Sequence, residues 1–349
     1  MSSWRDNVRN VEPYTPGEQP KELDVIKLNT NENPYPPSPK VLEAMENIKN
    51  LRKYPDPAAA ELVDAIADYH GFTRNEVFVG VGSDDVLAIA FLTFFNGKKP
   101  VLFPDITYSF YPVWADLFQI PYETKPLDDD FNIIPEDYYG ENGGIVFPNP
   151  NAPTGAMLSL DAVEDIIKYN QDVVVIVDEA YIDFGGTTAK ELTRKYENLL
   201  VVQTYSKSRS LAGLRIGYAI GNKELIKAMN DVKYSYNSYT MNEPSIIMGK
   251  AVLEDEAYFQ ETRKKIIETR EWFKEEMKKL GFSFADSMAN FIFATHKTVP
   301  AEELFAEAKK NKIYVRYFKK PRIDNYLRIT IGTREEMEAL LQFFKDYIK

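Results

Sequence analysis

Two hydrophobic periods alternate along this chain. Short unbroken apolar runs, among them Val77-Phe78-Val79, Val101-Leu102-Phe103, Ile145-Val146-Phe147, Val173 to Val177 and Leu199 to Val202, read as strands, the longer ones buried on both faces. Apolar residues at helical spacing lie between and after them. Val41, Leu42, Met45 and Ile48 follow Ser38-Pro39, with proline at the first helical position. A second helix is predicted near Ala59 to Tyr69 and a third over Val86 to Ala90. Phe259, Ile266, Phe273, Met277 and Leu280 share one face of a long helix from about Glu254 that stops at Gly281. Beyond it come strand-like Asn290 to Phe293, a helix from Ala301 to Lys310, strands Ile313 to Arg316 and Leu327 to Ile331, and a closing helix from Arg334. This alternation predicts an α/β fold. Three sections are expected: an arm over 1–30 whose Pro13, Pro16 and Pro20 forbid a helix, a large domain over 31–240, and a small α/β domain over 241–349. The polar, tyrosine-rich stretch Tyr234 to Tyr239 marks the second boundary. Residues 121–144 read as a charged connection and a turn, and Phe110, Tyr111 and Trp114 as core.

Composition narrows the chemistry. The 349 residues, 44% of them hydrophobic, suffice for a sizeable core in about two domains. A net charge of -11, from 53 acidic and 42 basic residues with no long block of one sign, argues against a nucleic-acid or anionic-membrane surface. With no cysteine there is no disulfide, thiolate metal site or thiol nucleophile, and only His70 and His296 offer imidazole, so no metal is expected. The N-terminus lacks an apolar signal core, and no apolar run reaches about 18 residues, so a cytoplasmic protein without a membrane span is expected.

The candidate chemistry gathers where strands end. Leu199 to Gln203 runs into Ser206-Lys207, and eight residues after the lysine Arg215 sits among small and apolar residues. An amine that attacks an aldehyde must be neutral, and partial burial beside positive charge favours that form, so Lys207 is a candidate Schiff-base lysine. The Val173 to Val177 strand ends in Asp178-Glu179-Ala180-Tyr181, at the edge where open α/β sheets bind ligands. There Asp178 can pair with a protonated ring nitrogen and Tyr181 can donate to a ring oxygen. Pyridoxal 5'-phosphate has both groups, and needs a lysine imine and a phosphate cup besides. Arg215 suits the phosphate as a bidentate fork and Ser206 as a short donor. Gly80-Val81-Gly82-Ser83-Asp84-Asp85 mimics a dinucleotide fingerprint, but Asp85 stands in place of its third glycine and would repel a pyrophosphate. A Gly-Ser entering a helix is still a general anion cup.

Asn151-Ala152-Pro153-Thr154-Gly155, Asp178 to Tyr181, and Ser206-Lys207 through Leu211-Ala212-Gly213-Leu214-Arg215-Ile216-Gly217 resemble, in order and spacing, the fold-type I aminotransferases. With Asn31-Glu32-Asn33-Pro34 and the Tyr14 segment, the chain is similar from about Tyr14 to Arg334 to the histidinol-phosphate aminotransferases in particular. The resemblance implies a large domain with a mixed, mostly parallel sheet flanked by helices, and a smaller C-terminal α/β domain. It implies pyridoxal 5'-phosphate on Lys207, and conversion of L-histidinol phosphate and 2-oxoglutarate to imidazole acetol phosphate and L-glutamate in histidine biosynthesis. It also implies a homodimer in which Tyr54 reaches the cofactor phosphate of the neighbouring subunit. Ser83 and Asp84 are expected at the cofactor phosphate and Tyr108 on the ring face. Tyr14, Asn33, Arg316 and Arg328 are expected at the substrate, the two arginines as an anion clamp. One position departs from the family. The residue before Pro-Thr-Gly is commonly an asparagine bonded to the ring oxygen, and here it is Ala152. Either Asn151 takes that role through a shifted turn, or Tyr181 holds the oxygen without it. An aromatic-amino-acid aminotransferase or a phosphothreonine-type decarboxylase would share every cofactor residue. A non-catalytic effector-binding module is the alternative from another class, but it would carry a basic DNA-reading domain that this acidic chain lacks.

Overall fold

The computed structural model describes residues 3–49 and 51–348. After the arm and β1 (Ile26–Lys27) come α1 (Pro39–Glu46), α2 (Ala60–His70), β2 (Val77–Val81), α3 (Ser83–Phe94), β3 (Val101–Pro104), α4 (Phe110–Phe118) and β4 (Tyr122–Lys125). The large body continues through β5 (Gly144–Pro148), α5 (Leu160–Tyr169), β6 (Val175–Asp178), β7 (Leu199–Thr204), β8 (Ile216–Gly221), α6 (Lys223–Tyr236) and α7 (Glu243–Ala251). Helix α8 (Glu256–Lys279) leads into the small body, formed by β9 (Phe282–Phe284), β10 (Phe291–His296), α9 (Ala301–Lys310), β11 (Ile313–Tyr314), β12 (Arg316–Tyr317), β13 (Leu327–Thr330) and α10 (Arg334–Tyr347).

The large sheet has seven strands in the order β2-β8-β7-β6-β5-β3-β4, parallel except for β8, which runs antiparallel to both its neighbours. Every residue of β5, β6, β7 and β8 is buried, which explains their unbroken apolar sequences. One face is covered by Val86, Phe91, Tyr111, Trp114 and Met229, the other by Val163, Ile166 and Ile167. The register sets Pro148 beside Asp178, Asp178 beside Val202, and Thr204 beside Gly217. The ends of β5, β6 and β7 therefore converge with the start of β8 and the β2–α3 turn.

Three expectations change. Strand β4, in the stretch read as a connection, escapes an apolar criterion because Tyr122-Glu123-Thr124-Lys125 is a largely exposed edge strand. The run from Ile313 to Arg316 splits, β11 pairing with β1 and β12 with β13. The boundary expected at 240 moves to the start of α8, because Met241, Ile246, Met248 and Val252 share one core with Leu62, Ile66 and Ile216. The arm spans both bodies: Tyr14 stacks on Phe110 of α4 at 4.2 Å, and Leu28 lies in the core of the small body.

Candidate active site

Two adjoining cavities of about 110 and 170 Å³ open at this edge. The first is lined by Ser83, Asp84, Tyr108, Asp178, Tyr181, Ser206, Lys207 and Arg215, the second by Tyr14, Asn31, Arg316 and Arg328. Tyr108, Ala152, Tyr181 and Lys207 line both, so the two form one continuous site. A wider cleft of about 550 Å³ beside β2 and α6 shares no residue with them.

At the floor, Asp178 ends β6 with its carboxylate buried. Its Oδ2 accepts the Tyr111 hydroxyl at 2.9 Å and its Oδ1 the Ala180 amide at 3.2 Å. Burial pushes this carboxyl up to about 6, against the pull of the Tyr111 bond. Lys207 follows β7 and donates from Nζ to the Thr30 carbonyl at 3.2 Å, 5.8 Å from the Tyr181 ring centre. The Tyr181 hydroxyl accepts from the Asn31 amide at 2.9 Å.

At the α3 end, Gly82 has φ +86°, and a Cβ there would stand 2.5 Å from Arg215 Nη2. Gly217 is equally confined, since a Cβ would strike the Ser83 amide. These two glycines let the start of β8 and Arg215 close over the N-terminus of α3, whose first amides and dipole favour an anion. Arg215 Nη2 donates to Asp84 Oδ2 at 2.9 Å, and the Tyr108 hydroxyl donates to Asp84 Oδ1 at 2.7 Å. Ser206 lines the cup with its Oγ 3.0 Å from Thr204 Oγ1, whose single hydrogen also has the Ile216 carbonyl within reach at 3.2 Å.

In the outer cavity, Arg316 and Arg328 face each other on β12 and β13 in register. Arg328 Nη2 donates to the Asn29 carbonyl at 2.9 Å, while its buried Nε has no protein partner. Burial first, and then the charge of Arg316, pull the Arg328 guanidinium below its ordinary value. An anion would answer both the unpaired donor and the repulsion. Burial raises the Tyr14 phenol, against the pull of both arginines.

Thus Lys207, Asp178, Tyr181, Ser83, Asp84, Tyr108, Ser206, Arg215, Tyr14, Arg316 and Arg328 come together. Three expected residues do not line the cavities. Asn33 donates instead to the carbonyls of Lys207 and Ser208, at 3.0 and 3.2 Å, and so shapes the lysine loop rather than meeting a substrate directly. Asn151 spends its amide hydrogens on the Ile106 carbonyl and Thr154 Oγ1, and accepts from Thr107. It therefore has no donor left for a ring oxygen, which corrects that expectation. Tyr54 is 81% exposed and lies against Tyr239 at 4.7 Å, outside both cavities of its own chain. Sequence reasoning missed Tyr111 and Asn31. A phenol one helical turn from Tyr108, on the face aimed at the strand ends, was the available signal for the first.

The fold and site are those of a two-domain α/β transferase with a lysine at its centre, and the chain belongs to the family described as aminotransferase class I and II, which it matches over residues 23–344. It is 52% identical over 349 residues to the histidinol-phosphate aminotransferase of Lactococcus lactis subsp. lactis (strain IL1403), covering 99% of this chain and 97% of that protein. It is 53% identical over 348 residues to histidinol-phosphate aminotransferase 1 of Hydrogenovibrio crunogenus (strain DSM 25203 / XCL-2), covering 99% and 98%. In fold it is similar to the crystal structure of histidinol-phosphate aminotransferase from Sinorhizobium meliloti in complex with pyridoxal-5'-phosphate. That likeness has a TM-score of 0.85 at 22% identity, over 93% of this chain and 90% of that one. No helix among the described residues is long and apolar enough to cross a membrane.

Proposed function

We propose that this chain is a pyridoxal 5'-phosphate-dependent aminotransferase that passes the amino group of L-histidinol phosphate to 2-oxoglutarate, giving imidazole acetol phosphate and L-glutamate in histidine biosynthesis. The observation that carries it is one continuous site with Lys207 between a buried carboxylate, Asp178, and a paired-arginine pocket at Arg316 and Arg328. The residues fit the cofactor. Asp178 offers a buried acceptor for a ring N–H. Tyr181 offers a hydroxyl to a ring oxygen and Tyr108 an aromatic face. Ser83, Ser206 and Arg215 surround an anion cup, in which Arg215 exchanges its Asp84 partner for phosphate. When bound, pyridoxal phosphate supplies an aldehyde for amines to condense with and a ring that takes up electrons from the substrate carbon.

The protein's own groups do the rest. Asp178 holds its partner proton on the ring nitrogen, and Tyr111 holds Asp178 in place. Lys207 Nζ takes the proton from the substrate carbon that bears nitrogen and delivers it within the same cavity. Arg316 and Arg328 bind the substrate phosphate, with Tyr14 over them, and in the second half-reaction the same ground takes the carboxylate of 2-oxoglutarate. The relatives' names, at about half the residues identical over nearly their full length, support the choice of substrate. The exposed Tyr54 supports a homodimer in which this phenol completes the neighbouring phosphate cup, and a cytoplasmic location goes with the biosynthetic role.

The test is kcat/KM for L-histidinol phosphate against phenylalanine, tyrosine and phosphothreonine with 2-oxoglutarate as acceptor. The expected result is a preference for L-histidinol phosphate that Arg328→Ala abolishes. Equal use of phenylalanine, or release of carbon dioxide from phosphothreonine, contradicts the reading. A fully active monomer by light scattering contradicts the role of Tyr54.

A further inference from the structure

Ala152 is 6% exposed, lines both cavities and carries no donor, and the Asn151 amide is committed elsewhere. With no donor from positions 151 and 152, the Tyr181 phenol is the neutral side chain left to donate to a ring oxygen beside it, and a phenol has one hydrogen to give. Where the hydrogen points is decided by Asn31. This residue is 1% exposed with a left-handed backbone, φ +57°, which asparagine tolerates better than most side chains.

Its segment is laid along β13 by the Thr330 amide on the Leu28 carbonyl and by Arg328 on the Asn29 carbonyl, and is held from just before β10 by Asn290 on the Asn31 carbonyl. The Thr330 hydroxyl accepts from the Asn31 backbone amide at 3.0 Å and donates to Asn31 Oδ1 at 3.0 Å. A flipped Asn31 amide would leave the Thr330 hydrogen without an acceptor, so the network fixes which end of the amide faces the phenol. Nδ2 then donates to the Tyr181 oxygen at 2.9 Å, occupying it as an acceptor. The phenolic hydrogen is turned away from Asn31 and toward the cavity.

We infer that Asn31 is a positioning residue that aims the Tyr181 hydrogen at the cofactor's ring oxygen, offsetting the donor that Ala152 lacks. This rests on the cofactor reading above. The same short segment holds the Arg328 guanidinium through Asn29 and the Lys207 amine through Thr30, so it ties the phenol to the anion clamp and the lysine.

The experiment is a pH titration of visible absorbance in the pyridoxal-phosphate-loaded protein, which reads the proton shared by the Lys207 nitrogen and the ring oxygen. A hydroxyl donating to that oxygen favours its ionised form and lowers the midpoint. Asn31→Gly keeps the left-handed backbone and both main-chain bonds but removes the amide, and is expected to raise the midpoint by on the order of one pH unit. Tyr181→Phe is expected to raise it at least as far, and Asn31→Gly to add nothing in that background. Asn31→Asp, which presents an acceptor where the amide donated, is the second variant and shifts the midpoint at least as far as glycine. An Asn31→Gly or Asn31→Asp midpoint equal to wild type, or the same glycine shift with and without the Tyr181 hydroxyl, overturns the inference. A wild-type protein that never acquires a lysine-linked chromophore overturns the cofactor reading and this inference with it. A loaded wild type beside an uncoupled Asn31→Gly overturns this inference alone.

Discussion

Replacing Tyr111 with phenylalanine removes one oxygen from a fully buried ring and leaves its packing against Phe91, Phe103 and Trp114 in place. That oxygen donates to Asp178, whose carboxyl burial raises from 3.8 to about 6 while the Tyr111 bond acts the other way. A hydrogen bond to an ionised group contributes about 1.5–3 kcal/mol, or roughly one to two pH units. Without it the Asp178 carboxyl is expected to climb to about 7–8. Because the folded value lies above the unfolded one, the stability tied to this group is full below about pH 4 and lost as pH rises through the folded value. In wild type that loss ends soon after pH 6, and in Tyr111→Phe it runs on past 7. The penalty of the substitution is therefore small at pH 5 and larger by about 1.5–3 kcal/mol at pH 8. Urea unfolding of the cofactor-free protein at both pH values, at one protomer concentration, measures the difference. An equal penalty at pH 5 and pH 8 would refute the reasoning and return Tyr111 to a purely packing role.

Three further outcomes are expected. Glu179 is buried among donors from Thr188, Ala189 and Gln203, and burial nevertheless pushes it from 4.5 up to about 7. Wild type should accordingly lose roughly 3 kcal/mol relative to Glu179→Gln as pH rises from about 4.5 to 8, read from paired denaturant curves. Gly82→Ala forces a left-handed alanine against Arg215, so cofactor affinity, followed by quenching of protein fluorescence, should fall at least about tenfold. Arg328→Lys replaces a planar fork by a point charge, and kcat/KM for L-histidinol phosphate should fall by about ten- to a hundredfold in steady-state assays.

The parts of the site that were legible in the sequence are those that stand at strand ends. Asp178 closes an apolar run and Lys207 comes shortly after one, and a charged residue there has few other reasons to follow buried strand residues. Arg215 was legible from its small chain neighbours, Gly217 among them, whereas the part played by the distant Gly82 in its approach shows only in the fold. What was not legible depends on pairing between distant segments. Tyr111 sits on an apolar helical face and meets Asp178 67 residues away. Asn31 and Asn33 are indistinguishable in a turn-forming stretch, and only the register against β13 and the lysine loop separates their tasks. Strand β4 was hidden because an edge strand with both faces largely exposed has no apolar signature.

The most direct test of the central claim is the absorbance of the pyridoxal-phosphate-loaded protein as L-histidinol phosphate is added with no keto acid present. L-histidinol phosphate is expected to convert the lysine-linked chromophore stoichiometrically to the amine form of the cofactor, with no such chromophore in Lys207→Ala. A loaded protein that L-histidinol phosphate leaves unchanged while phenylalanine or tyrosine converts it would contradict the account.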